Sequence, residues 1–560
     1  MTHHLATPKA VLGWWERGVA APRTDPDAIL AALRSPAAPI ALVDLDGRTA
    51  LAAGGRVTLG EFNPPAEGLP LVAIAPPLMP HHLGDPGFKK AFGLRYAYVM
   101  GAMANGITSV AMVKAAAENG MIGFFGAAGL APAQVEAAIH QIREALPERP
   151  FGFNLIHSPQ DPDLELRVVE LYLEKGVGCI SASAYLNLTL PLILYRVKGI
   201  HRGPDGEIVC PNKIIAKISR VEVASRFLAP PPVKFLAELR QRGLISSTEA
   251  ELAAHIPVAD ALTAEADSGG HTDNRPALTL LPTMLALRDQ ITSQHHYPQP
   301  VWVGLAGGIA TPQAVAGAFA MGAAYVLTGS INQACIESGT SDTVRRMLAE
   351  ARQADVTMAP AADMFEMGVK VQVLKRGTMF PLRAAKLYDL YRAHESYDQI
   401  PPKERALLEK DYFRCSFEAE WEQTRVFFNQ RDPRQNQRAD HDARHKMALV
   451  FRSYLGQSSN WANQGDPSRV LDYQIWCGPA MGAFNEWAKG SFLERPENRQ
   501  VVTVAHNLLF NACVLTRYNW LQSQGAGLPA AMAHCPPLPL EEIAARCGGE
   551  KAFENPVRRA

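Results

Sequence analysis

Three short segments combine residues able to do chemistry with the glycines that would let a ligand approach them. In Glu265-Ala-Asp267-Ser-Gly269-Gly270-His271, two glycines bring backbone close to a bound group and deliver an imidazole beside it. Imidazole is the side chain best able to give or take a proton near neutral pH. Ala306-Gly307-Gly308-Ile-Ala-Thr311 sets glycine amides directly ahead of a helix whose positive end would face an anion. Thr328-Gly329-Ser330 can add a hydroxyl and further amides to the same phosphate. One Gly-Gly pair more often serves a turn than a ligand, so it is the two loops together that point to phosphate.

Weaker signals accompany these. Gly101-Ala102-Met103, followed by Asn105-Gly106, suits a flat apolar ring lying against backbone. Asn154 is a polar residue in the apolar run Phe151-Gly-Phe-Asn154-Leu, so it needs a defined partner, either backbone or ligand. Lys217, inside Ile214-Ile-Ala-Lys217-Ile, would be an expensive buried charge unless it points into a site and meets an anion or a ring oxygen.

Most of these segments fall on or just after short apolar runs. Eight such runs read as parallel strands: Tyr96 to Met100, Met121 to Phe125, Phe151 to Leu155, Gly178 to Ser183, Lys213 to Ile218, Ala259 to Ala264, Val301 to Leu305 and Ala324 to Thr328. The intervals leave room for a helix and two loops, and the helical segments at 108–119 and 311–321 each open at a threonine and stop at Asn119-Gly120 or Gly322. The expected fold is therefore α/β, a (β/α)8 TIM barrel with its site at the C-terminal strand ends and phosphate after strands seven and eight. An open doubly wound sheet is the competing architecture.

Around the barrel, expected at 66–345, the chain divides further. Residues 1–65 read as a small α/β cap, with Asp25-Pro26 starting a helix through Leu33 and Asp46-Gly47 turning a hairpin. After about 345 the strand signal fades into a helical extension, 346–530, in which Val504, Leu508, Ala512 and Leu515 form the stripe of a packed helix. The extension is expected to cover the barrel mouth or to mediate assembly into a homo-oligomer. Residues 531–560, where Cys535-Pro-Pro-Leu-Pro begins, read as a flexible tail.

Composition narrows the function classes. Lys plus Arg and Asp plus Glu both total 55, so no net charge advertises nucleic acid or a membrane surface. The chain lacks a leader pattern, and no run approaches the roughly 18 apolar residues of a membrane helix, so a soluble cytoplasmic protein is expected. The eight cysteines stand singly, which argues against disulfides and structural zinc. His441 and His445 share a helix spacing compatible with metal, but no glutamate follows the first, and no metal site is expected. Trp14 and Trp15 lack a basic surround and read as packing anchors.

The Gly-Gly-His271, Ala306-Gly-Gly308 and Thr328-Gly-Ser330 loops resemble those of the flavin-dependent barrel family that contains nitronate monooxygenases and FabK-type enoyl reductases. Residues 361–380 (AADMFEMGVKVQVLKRGTMF) and 472–482 (DYQIWCGPAMG) are similar to signatures of the PfaD family, the trans-acting enoyl reductases of polyunsaturated fatty acid and polyketide synthases. The similarity spans about 90–525. It implies a flavin mononucleotide (FMN), reduced by NADPH or NADH, that passes hydride to the β-carbon of an enoyl thioester on an acyl carrier protein. By matching position, the flavin phosphate would lie on Gly307, Gly308, Gly329 and Ser330, the ring over Gly101, Ala102 and Met103, and its polar edge against Asn154 and Lys217. His271 would supply the proton or the electrophilic contact that charge on the thioester oxygen requires.

Between Lys370 and Lys386 the sequence holds five basic residues, Lys370, Lys375, Arg376, Arg383 and Lys386, and no acid. This run is the expected docking patch for an acidic carrier protein, set against the plainer reading of a solvated face. Two other functions share the same loops: a nitronate-type flavin oxidase, and a non-catalytic docking subunit that has lost flavin.

Overall fold

The computed structural model describes residues 11–18, 20–60, 63, 65–158 and 162–549. At the N-terminus, the residues that punctuate the sequence act as their types require. Asp25 accepts a hydrogen bond from the Ala28 amide at 2.8 Å and starts the helix Pro26–Leu33. Strands β1 (Gly13–Glu16), β2 (Ile40–Leu45), β3 (Arg48–Ala52), β4 (Arg56–Leu59) and β5 (Gly68–Ala75) form an antiparallel sheet in the order β3-β2-β5-β1-β4. Asp46 and Gly47, at φ of 51° and 79°, make the tight β2–β3 turn. The sheet needs β5 at its centre, so this unit runs to residue 75 and not to 65.

All eight expected barrel strands form. They are β6 (Tyr98–Met100), β7 (Ile122–Phe125), β8 (Gly152–Ile156), β9 (Cys179–Ser183), β12 (Lys213–Ile218), β13 (Ala261–Glu265), β15 (Trp302–Ala306) and β16 (Val326–Thr328). They close in the order β12-β13-β15-β16-β6-β7-β8-β9, every neighbouring pair parallel. A small hairpin of β10 (His201–Arg202) and β11 (Ile208–Val209) interrupts the run between β9 and β12. The helix Pro86–Phe92 packs Phe88 on Tyr325 at 4.2 Å between ring centres, among buried Val99, Ile122, Phe124 and Ile215. That plug fills the N-terminal end of the barrel, so a ligand must enter at the C-terminal strand ends.

The barrel takes its last helix from the far end of the extension. Seven barrel helices follow their strands locally, but the helix that packs against both Val110–Glu118 and Pro312–Ala320, in the eighth position, is Val501–Ser523. Val504, Leu508, Leu509 and Ala512 belong to the barrel core cluster, and the His506 ring meets Tyr96 edge-on. The extension is therefore an insertion between β16 and the helix that closes its unit. It also carries strand β17 (Val356–Pro360) antiparallel to β18 (Lys370–Leu374), with its own core around Phe365, Leu387, Phe413 and Phe451.

The N-terminal sheet unit flanks the closing helix, whose Arg517 donates to the carbonyls of Ser35 and Ala38 at 2.9 and 2.6 Å. One further expectation is corrected. The flexible tail does not begin at 531, because Leu540–Arg546 forms a helix with Ile543 and Cys547 buried against the same closing helix. Residues 550–560 lie outside the described residues. Among the described residues no helix is long and apolar enough to cross a membrane.

Candidate active site

Five adjacent barrel strands, β12, β13, β15, β16 and β6, bring most of the expected residues to one arc of the mouth. On β15 and β16 the glycines divide into two kinds. Gly307 is a packing glycine: at φ +84°, a side chain there would meet the Ala266 carbonyl carbon at 2.5 Å. Gly308, at φ +77°, and Gly329 have no atom beyond their own chain neighbours within 4 Å of where a side chain would begin. Neither amide makes a backbone hydrogen bond among the described residues. The pair is an open cradle lined by unused N–H groups, and behind it Thr311 caps the helix Pro312–Ala320 by accepting from Ala314 N. This fits a phosphate held by backbone amides at a helix start.

The flanking residues are more constrained than their types suggested. Ser330 Oγ accepts from Gly478 N at 3.1 Å, which leaves its own proton for a ligand. The Thr328 hydroxyl is turned into the barrel wall and donates to Tyr98 OH at 3.0 Å, so it does not serve the cradle. Ala306 is buried and its carbonyl accepts from Ala266 N at 2.8 Å, tying the β13 and β15 loops together. Gly101, like Gly307, is a packing glycine, its missing side chain making room for Leu327. Beyond it Thr108 is buried and braces the loop, accepting from Met103 N at 2.9 Å and donating to Gly101 O at 2.8 Å. Ser109, and not Thr108, caps the helix Val110–Glu118. Ala102 and Met103 remain half-buried at the mouth.

Asn154 takes its partner from the backbone: Oδ1 accepts from Ala127 and Ala128 at 2.7 and 3.2 Å, so only its amide nitrogen is left for a ligand. Lys217 meets an anion, but the anion is protein. Its Nζ lies 2.8 Å from Glu265 Oε1, with the two side chains 17% and 15% exposed. Two charges so far out of water are tolerable because each neutralises the other.

The His271 loop is built jointly by the barrel and the insertion. After β13 the chain forms β14 (Gly270–His271), which pairs antiparallel with β18 of the insertion, His271 opposite Val371. Gln372 clamps the loop by donating to Asp267 Oδ1 and to the Ser268 carbonyl, both at 2.8 Å. A side chain at Gly269 would strike the Cys477 backbone at 2.9 Å, and Gly270 adopts φ +79°. His271 Nε2 lies 3.2 Å from Asp363 Oδ1, in the turn between β17 and β18. Burial works against charging the imidazole. The Asp363 carboxylate, with Glu265 nearby, overcomes that and raises its pKa above the ordinary histidine value. Asp363 shifts the opposite way: burial would raise its pKa, but the bonded imidazole lowers it.

The expected docking run does not form one surface. Arg383 is bonded to the fully buried Asp472 and lies over the Tyr412 ring at 4.8 Å. Arg376 sits 3.8 Å from both Glu350 and Asp355, and Lys386 pairs with Glu404. Lys370 and Lys375 are exposed, with no ion pair among the described residues. His445 is buried and engages Glu366 through Nδ1 at 2.9 Å. Sequence reasoning missed Asp363, Gln372 and Gly478 and gave Glu265 no role. The first three lie inside the 361–380 and 472–482 stretches, where a family signature was visible but no spacing rule tied it to His271.

A family model described as nitronate monooxygenase matches residues 88–395, over half of the chain. One described as acyl-carrier-protein S-malonyltransferase, inserted helical domain, matches 394–473. A polyunsaturated fatty acid synthase subunit of Thraustochytrium sp. is 46% identical over 448 residues, 79% of this chain and 30% of the relative. Polyketide biosynthesis protein PksE of Bacillus subtilis is 44% identical over 434 residues, 77% of this chain and 56% of the relative. The chain thus spans under a third of the first relative's length and just over half of the second's. The crystal structure of the enoyl reductase domain of MlnA, from the macrolactin biosynthesis cluster of Bacillus amyloliquefaciens, is 38% identical. The match covers 79% of this chain and 99% of that one, with a TM-score of 0.75.

Proposed function

Because this chain belongs to the nitronate monooxygenase family and, within it, to the PfaD-like proteins, we propose that it is an FMN-dependent enoyl reductase. Its substrates are enoyl thioesters on the acyl carrier protein domains of a polyunsaturated fatty acid or polyketide synthase, reached in trans, with NADPH or NADH as hydride donor. When bound, the flavin supplies the two-electron chemistry, taking hydride from the nicotinamide and giving it to the β-carbon.

The chain's own residues do the rest. Gly308 and Gly329 hold the phosphate through backbone amides, Ser330 adds a hydroxyl, and the half-buried Ala102 and Met103 lie against the ring. The Lys217–Glu265 pair and the Asn154 amide line the polar side of the mouth. His271 donates from Nε2 to Asp363, which leaves the Nδ1 proton for the thioester oxygen or the α-carbon as negative charge develops there. Lys370 and Lys375 are what remains of the carrier-facing surface.

The observation that carries the reading is an imidazole 3.2 Å from Asp363 Oδ1, a contact that raises its pKa, on the same arc of the mouth as the open Gly308 and Gly329 cradle. An anaerobic absorbance titration of the purified chain tests it. The flavin band should bleach with NADPH and return on adding a crotonyl-carrier or its pantetheine mimic. Return only with oxygen or a nitronate would replace the reading with a flavin oxidase, and a colourless protein would remove it.

A further inference from the structure

Asp363 does not reach His271 by local design. It sits in the turn 361–369, and that turn is anchored in the core of the insertion. The Phe365 ring is fully buried against Tyr388, Tyr391 and Phe451, at 5.4, 5.2 and 6.5 Å between ring centres. Next to Phe451 on the Ala443–Gln464 helix, Arg452 donates from Nε to the Ala362 carbonyl at 2.8 Å and from Nη1 to Glu366 Oε2 at 3.3 Å. His445, earlier on the same helix, holds the other oxygen of Glu366. One guanidinium thus bridges the residue before Asp363 and the carboxylate three residues after it. The planar fork can do this because its donors diverge at fixed angles.

We propose that Arg452 is a positioning residue for His271: it fixes the 361–366 turn so that Asp363 stays on the imidazole, and the helical insertion thereby sets the protonation of the group at the barrel mouth. The relevance to turnover rests on reading His271 as the proton donor; the positioning itself does not. The charged groups facing His271 are Asp363 from the turn, Glu265 from the end of β13 and Lys217 from β12. Arg452 faces Asp363 and Glu366, not the imidazole.

That arrangement gives the test a sign. Removing a nearby positive charge, by electrostatics alone, would leave the His271 titration midpoint unchanged or raise it. Releasing the turn would lower it, because the imidazole loses its carboxylate. The experiment is an NMR pH titration of the full chain labelled at histidine ring positions, the His271 signal being identified by its loss in His271→Gln. Asp363→Asn and Arg452→Gln should both shift the midpoint down, and Arg452→Lys, which keeps charge but not the fork, should shift it in the same direction by less. Arg425→Gln, which removes an exposed charge elsewhere on the insertion, should leave it in place.

A midpoint that stays or rises in folded Arg452→Gln overturns the proposal, and so does one unmoved by Asp363→Asn. Turnover should begin to fall at a correspondingly lower pH in both variants. If the His271 midpoint moves as expected while the pH profile of turnover does not, positioning stands and the proton-donor reading fails.

Discussion

The cradle after β15 and β16 and the imidazole after β13 lie side by side in the same mouth, yet they are made differently. The cradle is local. Gly308 and Gly329 lie within two residues of a barrel strand end, and Thr311 and Ser330, which shape them, are one to three positions away, with the insertion adding only the Gly478 N–H on Ser330 Oγ. The imidazole is assembled from distant chain. Its strand partner is Val371, its clamp Gln372 and its carboxylate Asp363, all from an insertion that the barrel does not need for its eight strands. The difference teaches that ligand binding and proton delivery can fail separately in this molecule: the first depends on short-range backbone geometry, the second on the docking of a second core.

The largest effect is expected from breaking what the two regions share. Ending the chain near residue 390 would leave all eight strands but remove the Val501–Ser523 helix. Each buried Val or Leu it contributes is worth about 1.5–3 kcal/mol, and several of them together approach the net stability of a domain, roughly 5–15 kcal/mol. The truncated chain should be insoluble or unfolded by circular dichroism, and a soluble, flavin-binding product would refute the closing role of that helix.

The next effects separate the regions. His271→Ala should lower turnover about 10²–10⁴-fold, the usual contribution of a general acid, with the flavin spectrum intact. Gly308→Val should do the reverse. It forces a β-branched residue to φ +77° and fills the cradle, disturbing charge-assisted hydrogen bonds worth about 1.5–3 kcal/mol each. Flavin affinity should fall roughly 10–100-fold by fluorescence titration, while the His271 NMR titration stays as in the parent. Loss of both properties in either variant would erase the distinction.

The smallest effect is expected at the rim. With Arg383 bonded to the buried Asp472, and Arg376 and Lys386 facing acids, only Lys370 and Lys375 are left to steer an acidic carrier. Reversing both to Glu should raise KM for a carrier-bound substrate a few-fold and leave the pantetheine mimic unchanged, since exposed pairs are worth about 0–1 kcal/mol. Equal changes for the two substrates would remove the docking role.

The legible parts of the molecule share a physical origin. The strands declare themselves as apolar runs, the Asp25 cap as an Asx-Pro start, and the β2–β3 turn as Asp-Gly, because each is decided by sterics and hydrogen bonds within a few residues. The helix at 501–523 was legible as a helix from its apolar stripe, but not as part of the barrel: periodicity reports that a face is buried and says nothing about what buries it. The basic run at 370–386 misled for the same reason, since a side chain's formal charge does not disclose a partner such as Asp472 some ninety residues away.

Residue types and short-range spacing therefore determined that this chain forms eight barrel strands, seven of them followed by a local helix, that two strands run into glycine loops fit for a phosphate, and that an imidazole follows the sixth strand. Tertiary structure alone decided that Lys217 faces Glu265, that a helix from beyond the insertion closes the barrel, and that His271 meets Asp363. Local elements form from interactions the chain makes wherever it folds, whereas these pairings exist only once segments far apart in sequence meet, within the barrel for Lys217 and the closing helix and between barrel and insertion for His271, and nothing in the local spacing encodes that meeting.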